Sequence, residues 1–224
     1  MTVFAWHFAR RDMRLEFGDG RLIVPGETLT VDCEPKLRAI GLHASDKLID
    51  ALDNAAGPMI CRVRVGGRDI EWGGDLVVGT TRTCLWAIDG DRLLRSFACI
   101  CATRLASLAG CEDSAVIGAI LVAERHLRGE ATDDELSCEH DRAWTYAMRS
   151  WLMQGARDEL GHCLRLIAAH ACKRDSWSAA SHSASDCCSG VSQLCGASWY
   201  RRERDALAAE LLRLVRSEHE KVSQ

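Results

Sequence analysis

Two histidine-bearing segments, far apart in the chain, carry side chains suited to chemistry. His7 lies in "AWHF", and His43 lies in "GLHAS", where alternate positions of a strand would place it on one face with Gly41 and Ser45. An imidazole both donates and accepts hydrogen bonds and titrates near neutral pH, and a serine hydroxyl can also do both. Residues of these types could therefore contribute to a pocket. The alternatives are structural: hydrogen-bonded strand histidines, and a helix N-cap at Ser45.

Twelve cysteines form the second group of reactive side chains. A structural zinc site is one interpretation, because metal-ligating residues cluster in the second half of the chain: His162, Cys163, His170 and Cys172, followed by Cys187, Cys188 and Cys195. The chain has no C-x-x-C pair, however, and residues 170 and 172 would face different sides of a helix. We predict reduced thiols that serve as small core side chains, with no metal site; disulfides would gain weight only outside a cytoplasm.

Short strands and turns are expected to position the two histidines. Glycine and proline pairs divide residues 1–95, and we predict strands at Val3–Phe8, Leu22–Val24, Thr28–Val31, Ile60–Val65, Asp75–Val78 and Thr83–Ile88. The strict alternation of "CRVRV" predicts one buried face, with Arg62 and Arg64 on the other. Asp46–Ala56 is the one clear early helix, with apolar residues at helical spacing.

The pattern becomes helical from Asp91 onwards. We predict two helices separated by Gly110, then a long helical stretch that begins with a capping box at Thr132 and Glu135. The Ser-rich segment after Cys172 is ambiguous, because serine is a mediocre helix former. The last stretch predicts an amphipathic helix with a stripe of Leu207, Leu211, Leu214 and Val215.

Composition excludes several classes of protein. Hydrophobic residues make up 47% of the chain, enough for a real core. Lys and Arg total 28 against 32 Asp and Glu, so the basic excess that non-specific nucleic-acid binding needs is missing. No apolar run reaches the roughly 18 residues of a membrane span, and the first residues lack a signal-peptide pattern. We expect a protein of the host cytoplasm, with association with a virus particle left open.

The order of motifs resembles an uncharacterised domain family of phage and bacterial proteins. The matching segments are "AWHF", "PGETL", "GLHAS", "DAL", "CRV", "LWAID" and "HLRGEATDDEL", followed by an Ala-rich tail with periodic Trp. Relatives often carry Cys three residues before the Gly of "GLHAS", where this chain has Arg38. The resemblance implies phage or prophage origin and brings no established activity.

A more distant resemblance is to the ADP-ribosyltransferase fold, in which an early strand histidine is followed by a Gly-containing strand, a helix and another strand. It implies that His7, Gly41, His43 and Ser45 line a pocket for a nicotinamide dinucleotide. There the Gly backbone would bind the carboxamide and an imidazole the ribose. The late-strand Glu that would stabilise an oxocarbenium-like transition state has no counterpart in "DLVVGTTRTCLWAID", and Glu71 and Asp75 are not on a matching motif.

We therefore predict an α+β protein, with a β-rich domain at residues 1–95 and a helical region at 96–224. Its expected function is a non-catalytic, phage- or prophage-encoded accessory protein that binds a host or viral protein. Association between copies through the helical region is left open, and no membrane or nucleic acid is expected as a partner. The alternative is a protein that binds or processes a nicotinamide dinucleotide or related nucleotide. Catalytic residues are not assigned, and no cofactor is predicted outside that alternative.

Overall fold

The computed structural model describes residues 2–16 and 20–223, with the side chains of 154–156 excluded. Antiparallel strands and one short helix come first and a series of helices follows, which confirms the α+β prediction. The chain divides into two compact units: Met1–Asp91 with Leu211–Gln224, and Arg92–Glu210. This division differs from the predicted 1–95 and 96–224 at the C-terminus, where the end of the last helix groups with the strands.

The strands of the first unit close on themselves. The elements are β1 (Val3–Ala9), β2 (Thr28–Thr30), β3 (Leu42–Ser45), α1 (Leu48–Asp53), β4 (Met59–Gly73) and β5 (Leu76–Asp89). β1 pairs with β3 and β4, and β5 also pairs with β3 and β4, always antiparallel. These pairings make a small four-stranded barrel, and β2 adds to one edge of β5.

The alternation in "CRVRV" produces the buried face that the sequence predicts. Cys61, Val63 and Val65 are fully buried and join one core cluster with Ala5 and Ala44 from β1 and β3. β4 is longer than the predicted Ile60–Val65, because the strand continues past two glycines with a register shift between Gly66 and Ile70.

Three local predictions in this unit need correction. The predicted strands Asp75–Val78 and Thr83–Ile88 are two parts of one longer strand, β5, and Asp75 lies in the turn before it. Leu22–Val24 is not a strand, since only an isolated bridge joins Leu22 to Arg14. Ser45 does not cap the helix: it ends β3, and the N-cap position of α1 is Lys47, which has no side-chain capping bond.

The second unit is helical. Its elements are α2 (Asp91–Leu108), α3 (Ser114–Leu127), α4 (Asp133–Gln154), a short 3₁₀ helix (Gly155–Asp158), α5 (Glu159–Ala171), α6 (Ser176–Cys195) and the first part of α7 (Trp199–Val222). The predicted capping box is confirmed: the Glu135 N–H donates to Thr132 Oγ1 at 3.1 Å, and the Thr132 N–H donates to Glu135 Oε2 at 2.7 Å.

The Ser-rich segment is a helix because its small residues are buried. In α6 the buried positions are almost all Ala, Ser, Cys or Gly, including Ala180, Ser183 and Gly190. A Cβ on Gly190 would come within 2.6 Å of the Leu105 methyl groups, which shows how closely α6 packs. Close packing therefore overrides the mediocre helix propensity of serine.

The predicted stripe of α7 is mostly buried. Leu207, Leu211 and Val215 are at most 2% exposed, whereas Leu214 is half-buried. The end of α7 belongs to the first unit, where the His219 ring centroid lies 4.1 Å from that of Trp86 on β5. None of the helices in the described residues is long and apolar enough to cross a membrane.

Candidate functional site

The strands that carry the predicted site residues lie side by side. β1 and β3 pair antiparallel, with Trp6 opposite Ser45, so His7 and His43 come from neighbouring strands. His43 also contributes to the electrostatic environment that lowers the pKa of His7. The two histidines, 36 positions apart in the chain, thus lie on adjacent strands, but the register of Trp6 opposite Ser45 places their side chains on opposite faces of the sheet.

Gly41 immediately precedes β3 and is packed against its own sheet. Its φ of +117° is one that side-chain-bearing residues rarely adopt, and a Cβ there would lie 2.5 Å from Val78 Cγ2. Glycine is therefore required for close packing of the 35–41 segment on β5. The face where a ligand could have approached Gly41 is filled by Val78.

His43 is half-buried and hydrogen-bonded within the protein. Its Nε2 accepts a bond from the Arg38 N–H at 3.0 Å, which assigns the ring proton of a neutral imidazole to Nδ1. Burial lowers the pKa of His43, while its backbone hydrogen bonds to Gly41 and Lys36 act in the opposite direction. His43 is thus a neutral side chain that helps to hold the preceding loop.

His7 is half-buried on the face of β1 that also carries Ala5 and Ala9. Its pKa lies well below the usual value, first because of burial and then because of the nearby positive charge of Arg82 and the second imidazole of His43. His7 is therefore neutral at pH 7. Its ring makes no hydrogen bond within the described part of the chain.

Ser45, the fourth predicted residue, is 2% exposed. It ends β3 opposite Leu76 on β5 and Trp6 on β1. No ordered base contacts its hydroxyl within residues 2–16 and 20–223, so the geometry gives no support for a nucleophile.

Arg82 is the site residue that the sequence reasoning missed. It lies on β5, opposite Val65 of β4 and Leu29 of β2, and is 3% exposed. Its Nη1 donates to the His43 carbonyl oxygen at 2.7 Å, but its Nη2 is buried without a hydrogen-bond partner. Burial lowers the pKa of Arg82 to about 10, so the guanidinium remains charged at neutral pH.

Two thiols complete the group. Cys61 and Cys84 are buried on β4 and β5, where the Cys61 thiol donates to the Met59 carbonyl oxygen at 3.9 Å and the Cys84 thiol donates to the Trp86 carbonyl oxygen at 3.5 Å. The interaction between the two sulfurs raises the pKa of Cys61 and, together with the positive charge of Arg82, lowers that of Cys84. We call His7, His43, Cys61, Arg82 and Cys84 the Arg82 cluster.

A sequence signal for Arg82 exists. In "TTRTCLW" it stands two residues before a cysteine, so alternation puts the arginine on the face that Cys84 buries. An arginine on a buried strand face is uncommon and marks either an internal ion pair or a ligand.

The Glu71 carboxylate has a structural role. Its Oε2 accepts a hydrogen bond from the Leu37 N–H at 2.8 Å and so fastens the 36–41 loop to β4. At Asp75 the contact is through the backbone, whose carbonyl oxygen accepts from the Asp46 N–H at 3.0 Å. Glu71 is thus already engaged in holding the loop.

The His and Cys residues considered for zinc are distributed among other contacts. His170 Nδ1 lies 2.6 Å from Asp186 Oδ2, and the Cys172 thiol donates to the Ala119 carbonyl oxygen at 3.2 Å. Within residues 2–16 and 20–223, no group of three or more His, Cys, Asp or Glu side chains is arranged to hold a metal ion.

Comparison with known proteins adds no further constraint. No protein-family model, curated protein or solved structure matches the chain. The function must therefore be argued from the geometry of the two units.

Proposed function

We propose that the protein is a non-catalytic binding and assembly protein, encoded by a phage or prophage, whose partner is a host or viral protein in the host cytoplasm. One observation carries this proposal: three of the four candidate residues for nucleotide chemistry are taken up by the barrel itself. Gly41 packs on Val78, His43 accepts the Arg38 N–H, and Ser45 is buried. Residues that hold a fold together are poorly placed to turn over a substrate.

The helical unit offers a surface for such a partner at the end of α4. Leu152 and Met153 are 82% and 87% exposed, and Trp151 beside them is 40% exposed. Tryptophan and methionine are enriched in protein interfaces. Scattered exposed apolar side chains are normal, but adjacent ones form a patch of the kind that marks an interaction site. We name Trp151, Leu152 and Met153 the α4 patch.

The charges beside the α4 patch favour an acidic partner. Arg149 lies three and four residues before Leu152 and Met153, which places all three on one face of the helix. Arg149 and Arg157 are exposed and form no ion pair within the described residues. An acidic protein surface with apolar side chains at its centre would complement both features.

A direct experiment tests the absence of catalysis. The purified chain is incubated with a nicotinamide dinucleotide, released nicotinamide is measured by chromatography, and binding is measured by calorimetry. We expect neither product nor heat of binding. Turnover that is lost in His43→Ala would overturn the proposal.

A second experiment tests the α4 patch. A photoreactive amino acid at position 152 should crosslink one acidic protein in host cells, and that protein is then purified. Its affinity should fall at least about tenfold for the double variant L152S/M153S, since hot-spot apolar residues dominate binding energy. The control L121S, at a residue 50% exposed on α3, should leave the affinity unchanged. Equal losses in both variants would contradict the assignment.

Binding of a nicotinamide dinucleotide is the alternative function. The pairing of β1 with β3 places His7 and His43 on adjacent strands, but the register of Trp6 opposite Ser45 puts the two side chains on opposite faces of the sheet, which disfavours one shared pocket. The calorimetric arm of the first experiment decides between the two candidates.

A further inference from the structure

Arg82 differs from the other buried charged side chains for which the structure gives contacts. Each of those has its charge matched: Arg95 by three backbone carbonyls, Arg165 by Asp158, Glu139 by Arg142, and Glu203 by Arg104. Arg82 has one backbone carbonyl and forms no ion pair with a carboxylate within residues 2–16 and 20–223.

An unmatched buried guanidinium is costly. A guanidinium has five N–H donors, and leaving a charged donor buried and unpaired costs several kcal/mol. The Nη2 of Arg82 is such a donor, with no hydrogen-bond partner among the residues that the structure describes. A protein retains this arrangement at low cost only if another negative group meets the guanidinium.

His7 is the partly exposed neighbour of the buried Arg82. His7 belongs to the same cluster, is only half-buried, and has ring nitrogens with no partner in the described residues. Ala5, Ala9 and Ala44, the buried residues around it on β1 and β3, have short side chains. An anion bound at the His7 ring would therefore lie near the Arg82 guanidinium, whose Nη2 has no partner in the described residues.

We propose that Arg82 and His7 form a binding site for a small oxyanion, a carboxylate or phosphate group, within the barrel. One oxygen accepts from Arg82 Nη2 and a second accepts from a ring N–H of His7. Such charge-assisted bonds are shorter and stronger than neutral ones, and a buried position strengthens them further. The site belongs to the barrel and is independent of the α4 patch.

A thiolate at Cys84 is the competing countercharge. The interaction with Cys61 and the positive charge of Arg82 both lower the pKa of Cys84, although its thiol donates to the Trp86 carbonyl oxygen at 3.5 Å in this structure. If that thiolate neutralises Arg82, no external anion is needed. The other titratable groups near Arg82 are Cys61, His7 and His43: the raised pKa of Cys61 keeps its thiol protonated, and an imidazole cannot supply negative charge near neutral pH.

Thermal unfolding of the full chain at pH 7.5 distinguishes the two possibilities. The probes are inorganic phosphate, sodium acetate and ribose 5-phosphate, each against sodium chloride at equal ionic strength. We expect phosphate or acetate to raise the Tm by about 2–4 °C at about five times its Kd. A lower effective concentration of ribose 5-phosphate would identify an organic phosphate as the source of the group.

Two variants and a matched control locate the effect. Arg82→Met should abolish the rise, and His7→Asn should reduce the affinity several-fold while keeping the fold, since His7 is only half-buried. Arg64→Met is the control, because Arg64 is exposed on β4. If Arg82→Met does not fold, the side-chain N–H signals of Arg82 in wild-type protein, followed by NMR during phosphate addition, give the same answer.

Three results would overturn the proposal. One is an equal Tm in chloride and in every oxyanion. Another is loss of the effect in Arg64→Met to the same degree as in Arg82→Met or His7→Asn. The third is thiolate absorbance near 240 nm at pH 7.5 that disappears in Cys84→Ser, with no response to oxyanions, which would assign the countercharge to Cys84.

Discussion

Gly41 is the residue of the "GLHAS" motif whose identity the backbone dictates. Gly41→Ala should destabilise the first unit by about 3 kcal/mol, because strain at positive φ and overpacking against Val78 add together. The free energy of unfolding in urea measures the loss. Gly74→Ala is the matched control: φ is +66° there, but nothing lies within 4 Å of the added Cβ. It should cost only about 1 kcal/mol, and equal losses would show that the contact with Val78 is unimportant.

The histidines of the Arg82 cluster predict sensitivity to acid. The pKa values of His7 and His43 are lowered in the folded state from the ordinary 6.5, so below pH 6.5 the unfolded chain binds more protons than the folded chain. Stability is therefore fully present above pH 6.5 and falls as the pH drops towards the folded-state values.

Urea unfolding at pH 7.5 and pH 5.0 checks this expectation. His7→Gln should lose less stability between the two values than the wild type, because one of the groups that must remain neutral has been removed. His182→Gln, in the helical unit, serves as a comparison, since burial also lowers its pKa. A wild-type chain equally stable at both pH values would contradict the argument.

The environments of single residues were the least predictable part of the site. Ser45 followed by a helical pattern is a sound N-cap signal, but strand pairing with β1 and β5 holds it in β3 instead. The role of Arg82 depends on contacts with β3, which lies about 40 positions away. Rules that use only neighbouring residues cannot predict such pairings between distant strands.

At the scale of elements, Arg95 holds the end of α5 to α2. Its guanidinium donates to the carbonyl oxygens of Ala171 at 3.1 Å and Arg174 at 2.7 Å, and also to that of Lys173. These oxygens lie where the helix ends and lack intrahelical donors. Arg95→Met should therefore destabilise the helical unit by about 3 kcal/mol and speed amide exchange around residues 171–174.

Arg92→Met provides the control for that change. Arg92 is on the same helix but is exposed, so its replacement should alter stability by less than about 0.5 kcal/mol. Comparable losses in both variants would show that the carbonyl contacts of Arg95 contribute little. Urea unfolding and hydrogen exchange supply the two measurements.

The predictability of elements followed the strength of local signals. The capping box at Thr132 and Glu135 and the alternation in β4 both act within a few residues, and both were predicted correctly. The sequence predicts that the strand ends before Gly66 and Gly67, whereas β4 continues through them with a bulge. The chain turns into β5 at Gly74 and Asp75, after Gly73 has paired with Leu76.

At the scale of the whole molecule, the α+β class follows from the change of pattern near residue 91, where glycine-punctuated strands give way to helices. Closure of the barrel did not follow, because it needs β3 to pair with both β1 and β5. The juxtaposition of His7, His43 and Arg82 depends on that closure. The sequence therefore predicts His7 and His43 as candidate residues but does not predict Arg82.

The cysteines give a prediction that covers both units. All twelve are free thiols: seven are buried, Cys33, Cys111 and Cys163 are half-buried, and Cys138 and Cys195 are exposed. Burial also raises the pKa of Cys99 and Cys172 to about 12, which keeps these thiols protonated and unreactive.

We expect a thiol reagent to modify two cysteines rapidly in the native protein, three slowly, and all twelve after denaturation. Variants Cys138→Ser and Cys195→Ser should each remove one fast-reacting thiol. A denatured protein with fewer than twelve reactive thiols, and an intact mass about 2 Da low for each missing pair, would reveal disulfides and contradict the use of reduced cysteines as core side chains.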